Sequence, residues 1–170
     1  MSTNIMGAAV LLCALLLASP ASTEVRTLRW PDLMPAHLAE TPIRPPVVDH
    51  DGPAALEQFS PWGDLPIEDM LVGELDGQQV RLAGYIVPLG LNAAQRIDEF
   101  LLVPYFGACI HVPPPPPNQV VHVTSSEGLD PARMHMAWVI EGAMKVSTRR
   151  SPLADAGYTI DAQQIKLFGR

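Results

Sequence analysis

The second half of the chain alternates apolar and polar positions in short runs separated by turn signals, a pattern typical of β-strands. The runs are QQVRLAGYIVPL, IDEFLLVPY, QVVHVTSS, AWVIEGAMKVSTRR and YTIDAQQIKLF, and they predict five strands between Gln78 and Phe168. Gly84 and Gly142 interrupt the first and fourth runs, which indicates a bulge or a sharp bend in each. The segment DPARMHM predicts one helical turn starting at Pro131. This layout predicts a mainly β protein with a small five-stranded OB-like barrel and a short helix, with a β-sandwich as the alternative.

The first half follows another pattern, because proline recurs throughout residues 22–76 and leaves room only for short elements. We expect a proline-rich N-terminal arm there, with short helices in TLRWPDLMPAHL and PIEDML. Before it, the apolar run AAVLLCALLLA is followed by the small residues SPA, which predicts a secretory signal peptide over residues 1–21. An uncleaved membrane anchor is the alternative, since no Lys or Arg precedes the run. The sequence therefore predicts an exported protein whose barrel domain spans residues 77–170.

Composition and motifs exclude several classes of function. The chain of 170 residues carries 11 Lys and Arg against 18 Asp and Glu, a formal net charge of -7. Nucleic-acid binding requires clustered basic side chains, and the sequence has no such cluster. It also lacks the G-x-S-x-G, H-E-x-x-H and phosphate-loop motifs. We therefore expect neither a nucleic-acid partner nor an enzyme.

The segment FLLVPYFGACIHVPPPPPNQ, from Phe100 to Gln119, carries the candidate chemistry. Loss of the signal peptide would leave Cys109 as the one cysteine, and His111 follows two residues later, facing the same side of an extended backbone. A thiolate and an imidazole suit zinc, with copper less favoured, and His122 on the next predicted strand is a candidate third ligand. The alternative is that Cys109 is a small core residue and that the histidines are ordinary hydrogen-bonded side chains.

Five prolines follow the Cys–His pair and cannot supply N–H groups to a sheet. They predict a polyproline II rod, which a partner protein could bind, or a rigid loop between two strands. The candidate partner- or ligand-binding residues are Pro113, Pro114, Pro115, Pro116, Pro117 and Asn118. If the rod is the binding element, the protein is an interaction adaptor and Cys109 is purely structural. A third hypothesis, a thiol-based redox activity, requires an exposed Cys109 with a lowered pKa.

Two further groups of side chains are weaker candidates. Met134, His135 and Met136 are soft enough to hold copper(I), but methionines near an apolar segment more often fill gaps in a core, which is the expectation here. Asp98 and Glu99 are adjacent acids that point apart on a strand, so we expect solvated carboxylates rather than an acid–base couple.

Together with GYIVPL upstream, the segment FLLVPYFGACIHVPPPPPNQ resembles the hallmark of DUF3299, an uncharacterised family of exported bacterial proteins. The resemblance is specific over Gln78 to Thr124 and looser towards Phe168. It implies a periplasmic or envelope-associated protein, often encoded near ABC-type export components of the macrolide-exporter kind, and some members are linked to metal handling. Cys109, His111 and the proline run match the hallmark, while the family offers no established catalytic residues to carry over. The leading hypothesis is thus a non-enzymatic, zinc-binding module that is accessory to an ABC-type envelope transport system.

Overall fold

The computed structural model describes residues 24–39, 65–109 and 114–169, so the predicted signal peptide and part of the predicted arm lie outside it. Its strands are β1 (Arg26–Leu28), β2 (Gln79–Leu91), β3 (Ile97–Val103), β4 (Val121–Leu129), β5 (Ala137–Arg149) and β6 (Ala156–Leu167). The helical elements are α1 (Ala36–Ala39) and 3-10 turns at Trp30–Leu33, Ile67–Met70, Gly73–Leu75, Pro117–Gln119 and Pro131–Arg133. Across these described ranges, no helix has the length and apolar character needed to cross a membrane.

Strands β2 to β6 form a closed barrel in the order β2-β3-β4-β6-β5, which the pairing of β2 with β5 completes. All neighbouring barrel strands are antiparallel except β4 and β6, which are parallel. The predicted mainly β, OB-like barrel is confirmed, and each strand lies where its apolar run predicted. The helix predicted between the third and fourth barrel strands is a single 3-10 turn, Pro131–Arg133.

Two glycines allow the long strands to curve around the barrel. A Cβ on Gly84 would lie 2.7 Å from the carbonyl oxygen of Val103 and 2.9 Å from the ring of Trp30. Directly after it, at Tyr85, β2 leaves β5 and begins to pair with β3. In β5 the register with β6 shifts between Glu141 and Gly142, which is the irregularity predicted from an internal glycine.

The described parts of the arm pack directly on the barrel. The short strand β1, which the sequence pattern did not predict, pairs in parallel with the start of β2. Leu33 and Leu75 are fully buried and belong to the same apolar cluster as the barrel interior. Residues that precede the first barrel strand therefore complete the core of the barrel.

A second, smaller apolar cluster lies outside this interior and is called the outer cluster here. Its members are Val87, Leu101, Val103, Ala108, Val120, Ala154 and Ala156. Consecutive residues of β3 alternate between the two clusters, with Phe100 and Leu102 in the interior and Leu101 and Val103 in the outer cluster. Both faces of β3 are therefore buried along this part of the strand. Of the other members, Val87 lies on β2 and Ala156 begins β6, whereas Ala108, Val120 and Ala154 come from the segments that follow β3 and β5. The loops at this side therefore rest on the sheet.

Candidate functional site

His122, on β4, lies next to the outer cluster. Its neighbours Val121 and Val123 belong to the interior cluster, so the alternation of the strand turns the imidazole to the outer face. The residue is 4% exposed. Its register partners are Leu101 on β3 and Thr159 on β6. A buried imidazole requires a hydrogen-bond partner, and β3 supplies one.

That partner is Glu99, whose Oε1 lies 2.8 Å from Nε2 of His122. Glu99 pairs in register with Thr124, two residues along β4, so the two side chains meet diagonally across the strands. An ionised carboxylate only accepts hydrogen bonds, so Nε2 is the donor in this contact and Nδ1 is not engaged by Glu99. The Glu99 side chain is 45% exposed, so the pair extends from the sheet to the solvent.

The pair lines a groove of about 320 Å³ between the outer face of the barrel and the connection from β5 to β6. Leu89 and Leu153 give the groove apolar walls, and Arg149 and Arg150 line it as well. The hydroxyl of Ser151 accepts two backbone N–H groups of its own turn and donates to a carbonyl there, which holds the connection in shape. Sequence reasoning missed this groove, because nothing local in β5 indicates which strand face its following turn approaches.

Cys109 ends the described part of the loop after β3 and packs against the outer cluster. Its φ of 64° lies in the left-handed region that residues with a Cβ seldom adopt. The thiol is half-buried, and burial raises its pKa to about 11. At neutral pH the thiol is therefore protonated, which weighs against a reactive thiolate.

The predicted pairing of Cys109 with His111 stays a prediction, since His111 lies outside the described residues. Within the ranges that the structure describes, no three His, Cys, Asp or Glu side chains stand close enough together to hold a metal ion. The described residues thus supply the His122–Glu99 pair and Cys109 at the same outer cluster, without a complete set of ligands.

The described part of the proline run contributes to the fold. Pro113 lies outside the described residues, Pro114 is exposed and Pro115 is buried. Pro116 precedes the 3-10 turn Pro117–Gln119, and both Pro116 and Pro117 are half-buried. The exposed surface that a free polyproline rod would offer is therefore reduced from Pro115 onwards.

The two amides at the exit of the run bond to the N-terminal segments. Asn118 donates from Nδ2 to the carbonyl oxygen of Met70 at 3.1 Å, and Gln119 donates from Nε2 to that of Trp30 at 3.0 Å. Both residues are buried. Oδ1 of Asn118 is enclosed without a hydrogen-bond partner among the described residues. These two hydrogen bonds hold the described segments of the arm against the barrel.

An exposed aromatic loop precedes Cys109. Phe106 is 62% exposed and meets the ring of Tyr85 edge to face, with 5.8 Å between the ring centroids. Beside it, burial raises the pKa of Tyr105, with a smaller contribution from the thiol of Cys109. The loop therefore displays apolar surface just before Cys109.

The expectation that Met134 and Met136 are core residues was wrong. They are 45% and 38% exposed, and His135 between them is exposed too. The 3-10 turn before them directs the chain along the outside of the barrel, so local apolar content does not translate into burial here.

Comparisons with known proteins give one clear relationship. The sequence profile of the DUF3299 family, described as protein of unknown function, matches residues 30–167. The crystal structure of a DUF3299 family protein from Pseudomonas aeruginosa PAO1 is similar at 40% identity and a TM-score of 0.72, covering 86% of this chain and 98% of that one. The OBody AM3L09, solved bound to hen egg-white lysozyme, gives 20% identity and a TM-score of 0.37 over 57% of this chain and 87% of its own. None of the curated proteins matches the chain.

Proposed function

Since the chain belongs to the DUF3299 family of proteins of unknown function, we propose that it is a non-enzymatic binding module that holds a zinc ion on the outer face of its barrel. Nδ1 of His122 is the proposed first ligand, and Cys109 and His111 are proposed as the others. The observation that carries the proposal is the 2.8 Å contact between Nε2 of His122 and Oε1 of Glu99.

This contact is the arrangement that metal-binding histidines use. A histidine that binds a metal through one ring nitrogen almost always donates the N–H of the other to a carboxylate or carbonyl, which fixes its tautomer and ring orientation. Glu99 orients His122 in this way, because its carboxylate accepts a hydrogen bond from the Nε2–H group. The imidazole is also buried and therefore held in place. Zinc is preferred over copper because mixed nitrogen and sulfur ligands are common in its sites.

The position of Cys109 supports the proposal, and its raised pKa predicts that zinc binding depends on pH. It packs against the outer cluster, and that cluster contains Leu101, the register partner of His122. Zinc binds the thiolate, so a thiol whose pKa is raised to about 11 must release a proton on binding. The apparent zinc affinity is therefore expected to increase with pH.

The metal content of the purified protein tests the proposal. We expect about one zinc per chain after purification or after dialysis against zinc, with reduced content in Cys109→Ser, His111→Ala and His122→Gln. His135→Gln is the matched control, since His135 is exposed and away from the groove. Unchanged zinc content in Cys109→Ser and His111→Ala, with both variants folded by circular dichroism, would reject the site.

The cellular setting belongs to the same proposal. The apolar N-terminal run supports export to the periplasm, and the resemblance to DUF3299 supports service to an ABC-type envelope transport system. Cell fractionation of a tagged full-length chain tests the first part. Recovery in the cytoplasm alone would contradict it.

A second candidate, a protein-interaction adaptor, is supported by the exposed aromatic loop. Phe106 is 62% exposed, while Cys109 packs against Val and Leu side chains as a structural residue would. In this proposal, a transporter subunit docks on the loop. Phe106→Ser is expected to abolish capture of that subunit in a pull-down, whereas Phe168→Ser, which removes a similarly exposed ring at the end of β6, is not.

A further inference from the structure

We propose that the groove beside His122 binds a small organic anion, a carboxylate or a phosphate ester with a short apolar chain. This inference goes beyond zinc binding and does not depend on it, since the side chains that recognise the anion are arginines. Three properties of the groove support it: positive charge without an acidic partner among the described residues, apolar walls and a preformed shape.

The positive charge comes from Arg149 and Arg150, neighbours at the end of β5. Both are exposed and line the groove, and neither forms an ion pair with any residue that the structure describes. Arg81 shows the contrast, because it is bound to Glu141 at 2.9 Å. In a chain of formal net charge -7, two adjacent guanidinium groups without a described acidic partner stand out. The planar fork of a guanidinium group matches the oxygens of a carboxylate or phosphate.

Glu99 also lines the groove, but its carboxylate is already engaged. Its Oε1 accepts the Nε2–H of His122 at 2.8 Å, so that part of its charge is directed at the imidazole. The arginines remain as the charged groups of the groove with no described partner. An entering anion therefore meets the two guanidinium groups together with the half-exposed carboxylate of Glu99, so the formal positive charge of the groove exceeds its negative charge.

The walls indicate that the anion carries an apolar chain. Pro88 and Leu89 line one part of the groove, and Pro152 and Leu153 line another. A volume of about 320 Å³ lies at the lower end of the range for small-molecule sites, which accommodates a headgroup with a few methylene groups. Because Ser151 bonds within its own turn, the arginine-bearing connection is shaped in advance, which reduces the ordering cost of binding.

A nuclear magnetic resonance titration of the metal-free full chain tests the inference. Hexanoate and hexyl phosphate are the probes, and hexanol is the neutral control of the same chain length. We expect saturable shifts of the backbone amides of residues 149–151 and Leu89 with either anion, and none at these positions with hexanol. The anion that binds more tightly identifies the preferred headgroup.

A pair of double variants separates recognition from general charge effects. Arg149→Gln with Arg150→Gln is expected to weaken anion binding by about tenfold or more, because charge-assisted hydrogen bonds are lost. Arg26→Gln with Arg133→Gln removes the same net charge at exposed positions outside the groove and is expected to bind like the wild type. Equal binding by the two double variants, or equal binding of hexanol, would overturn the proposal. Loss of zinc in Cys109→Ser would leave it unaffected.

Discussion

The hydroxyl of Tyr158 donates a hydrogen bond to the carbonyl oxygen of Leu33 at 2.8 Å, although 125 residues separate the two. The phenol oxygen of Tyr158 in turn accepts the backbone N–H of Val72 at 2.7 Å. Tyr158 is fully buried, and burial raises its pKa to about 12. One phenol group on the last strand thus holds both described segments of the N-terminal arm against the barrel.

Tyr158→Phe is expected to lower the free energy of unfolding by about 1–3 kcal/mol, because the buried carbonyl of Leu33 and the N–H of Val72 lose their shared partner. Urea denaturation measures the difference. Tyr85→Phe is the control, since Tyr85 is half-buried and contacts Phe106 through its ring. Equal losses in the two variants would show that the hydroxyl of Tyr158 has no special role.

Gly84→Ala is expected to destabilise the protein by about 1–3 kcal/mol, because backbone and ring atoms already occupy the space of a new methyl group. A Cβ there would approach the carbonyl oxygen of Val103 to 2.7 Å. Thermal unfolding measures the effect. Gly73→Ala introduces the same methyl group where no atom lies within 4 Å, so its unfolding temperature is expected to stay close to that of the wild type. An unchanged unfolding temperature in Gly84→Ala would mean that β2 can move away from β3.

The raised pKa of Cys109 predicts a loss of stability at alkaline pH. The unfolded thiol ionises around its ordinary pKa of 9.0, whereas the folded thiol keeps its proton until about 11. Folding therefore binds a proton in this window, and the contribution to stability is present below pH 9 and lost as pH rises towards 11.

Denaturation of metal-free wild type and Cys109→Ser over this range checks the prediction. The wild type should lose more stability than the variant, since serine does not titrate there, and Tyr158 contributes to both proteins alike. Parallel pH curves would indicate that the folded thiol ionises normally. Alkylation of the folded thiol is likewise expected to be slow at neutral pH.

Glu99→Gln is expected to lower zinc affinity by about 10- to 100-fold, the usual effect of removing the carboxylate that orients a metal-binding histidine. Competition with a zinc chelator measures the affinity. Glu127→Gln removes the same charge at an exposed position of β4 and is expected to leave affinity unchanged. Identical affinities in both variants would mean that Glu99 does not orient a zinc ligand.

Local pattern predicted the five barrel strands, because each strand carries its own alternation or apolar run between turn residues. It did not predict β1, whose three residues lie in a proline-rich segment and become a strand only by pairing with residues from Val80 to Leu82. The paired residues lie more than fifty positions apart in the chain, so no local stretch of sequence contains both of them. The burial of Leu33 has the same origin.

In the candidate site, too, sequence predicted what depends on a single strand and missed what depends on strand pairing. Alternation along β4 puts His122 on the face opposite Val121 and Val123, since it is a property of a single strand. Which of the two faces is the outer one follows only from the closed barrel. Glu99 was expected to be a solvated acid, and its contact with His122 arises from the pairing of β3 with β4 next to a register shift. To predict the groove, one would have to know where Arg149 lies relative to β4. That position follows from barrel closure rather than from sequence spacing.

The position of β6 between β4 and β5 has a consequence for protein synthesis. Strand β6 pairs with both β4 and β5, so a nascent chain that stops short of it exposes the unpaired edges of those two strands. Such a chain also lacks Tyr158 and its hydrogen bond to Leu33. Premature termination anywhere before Ala156 would therefore release an open sheet that is prone to aggregate.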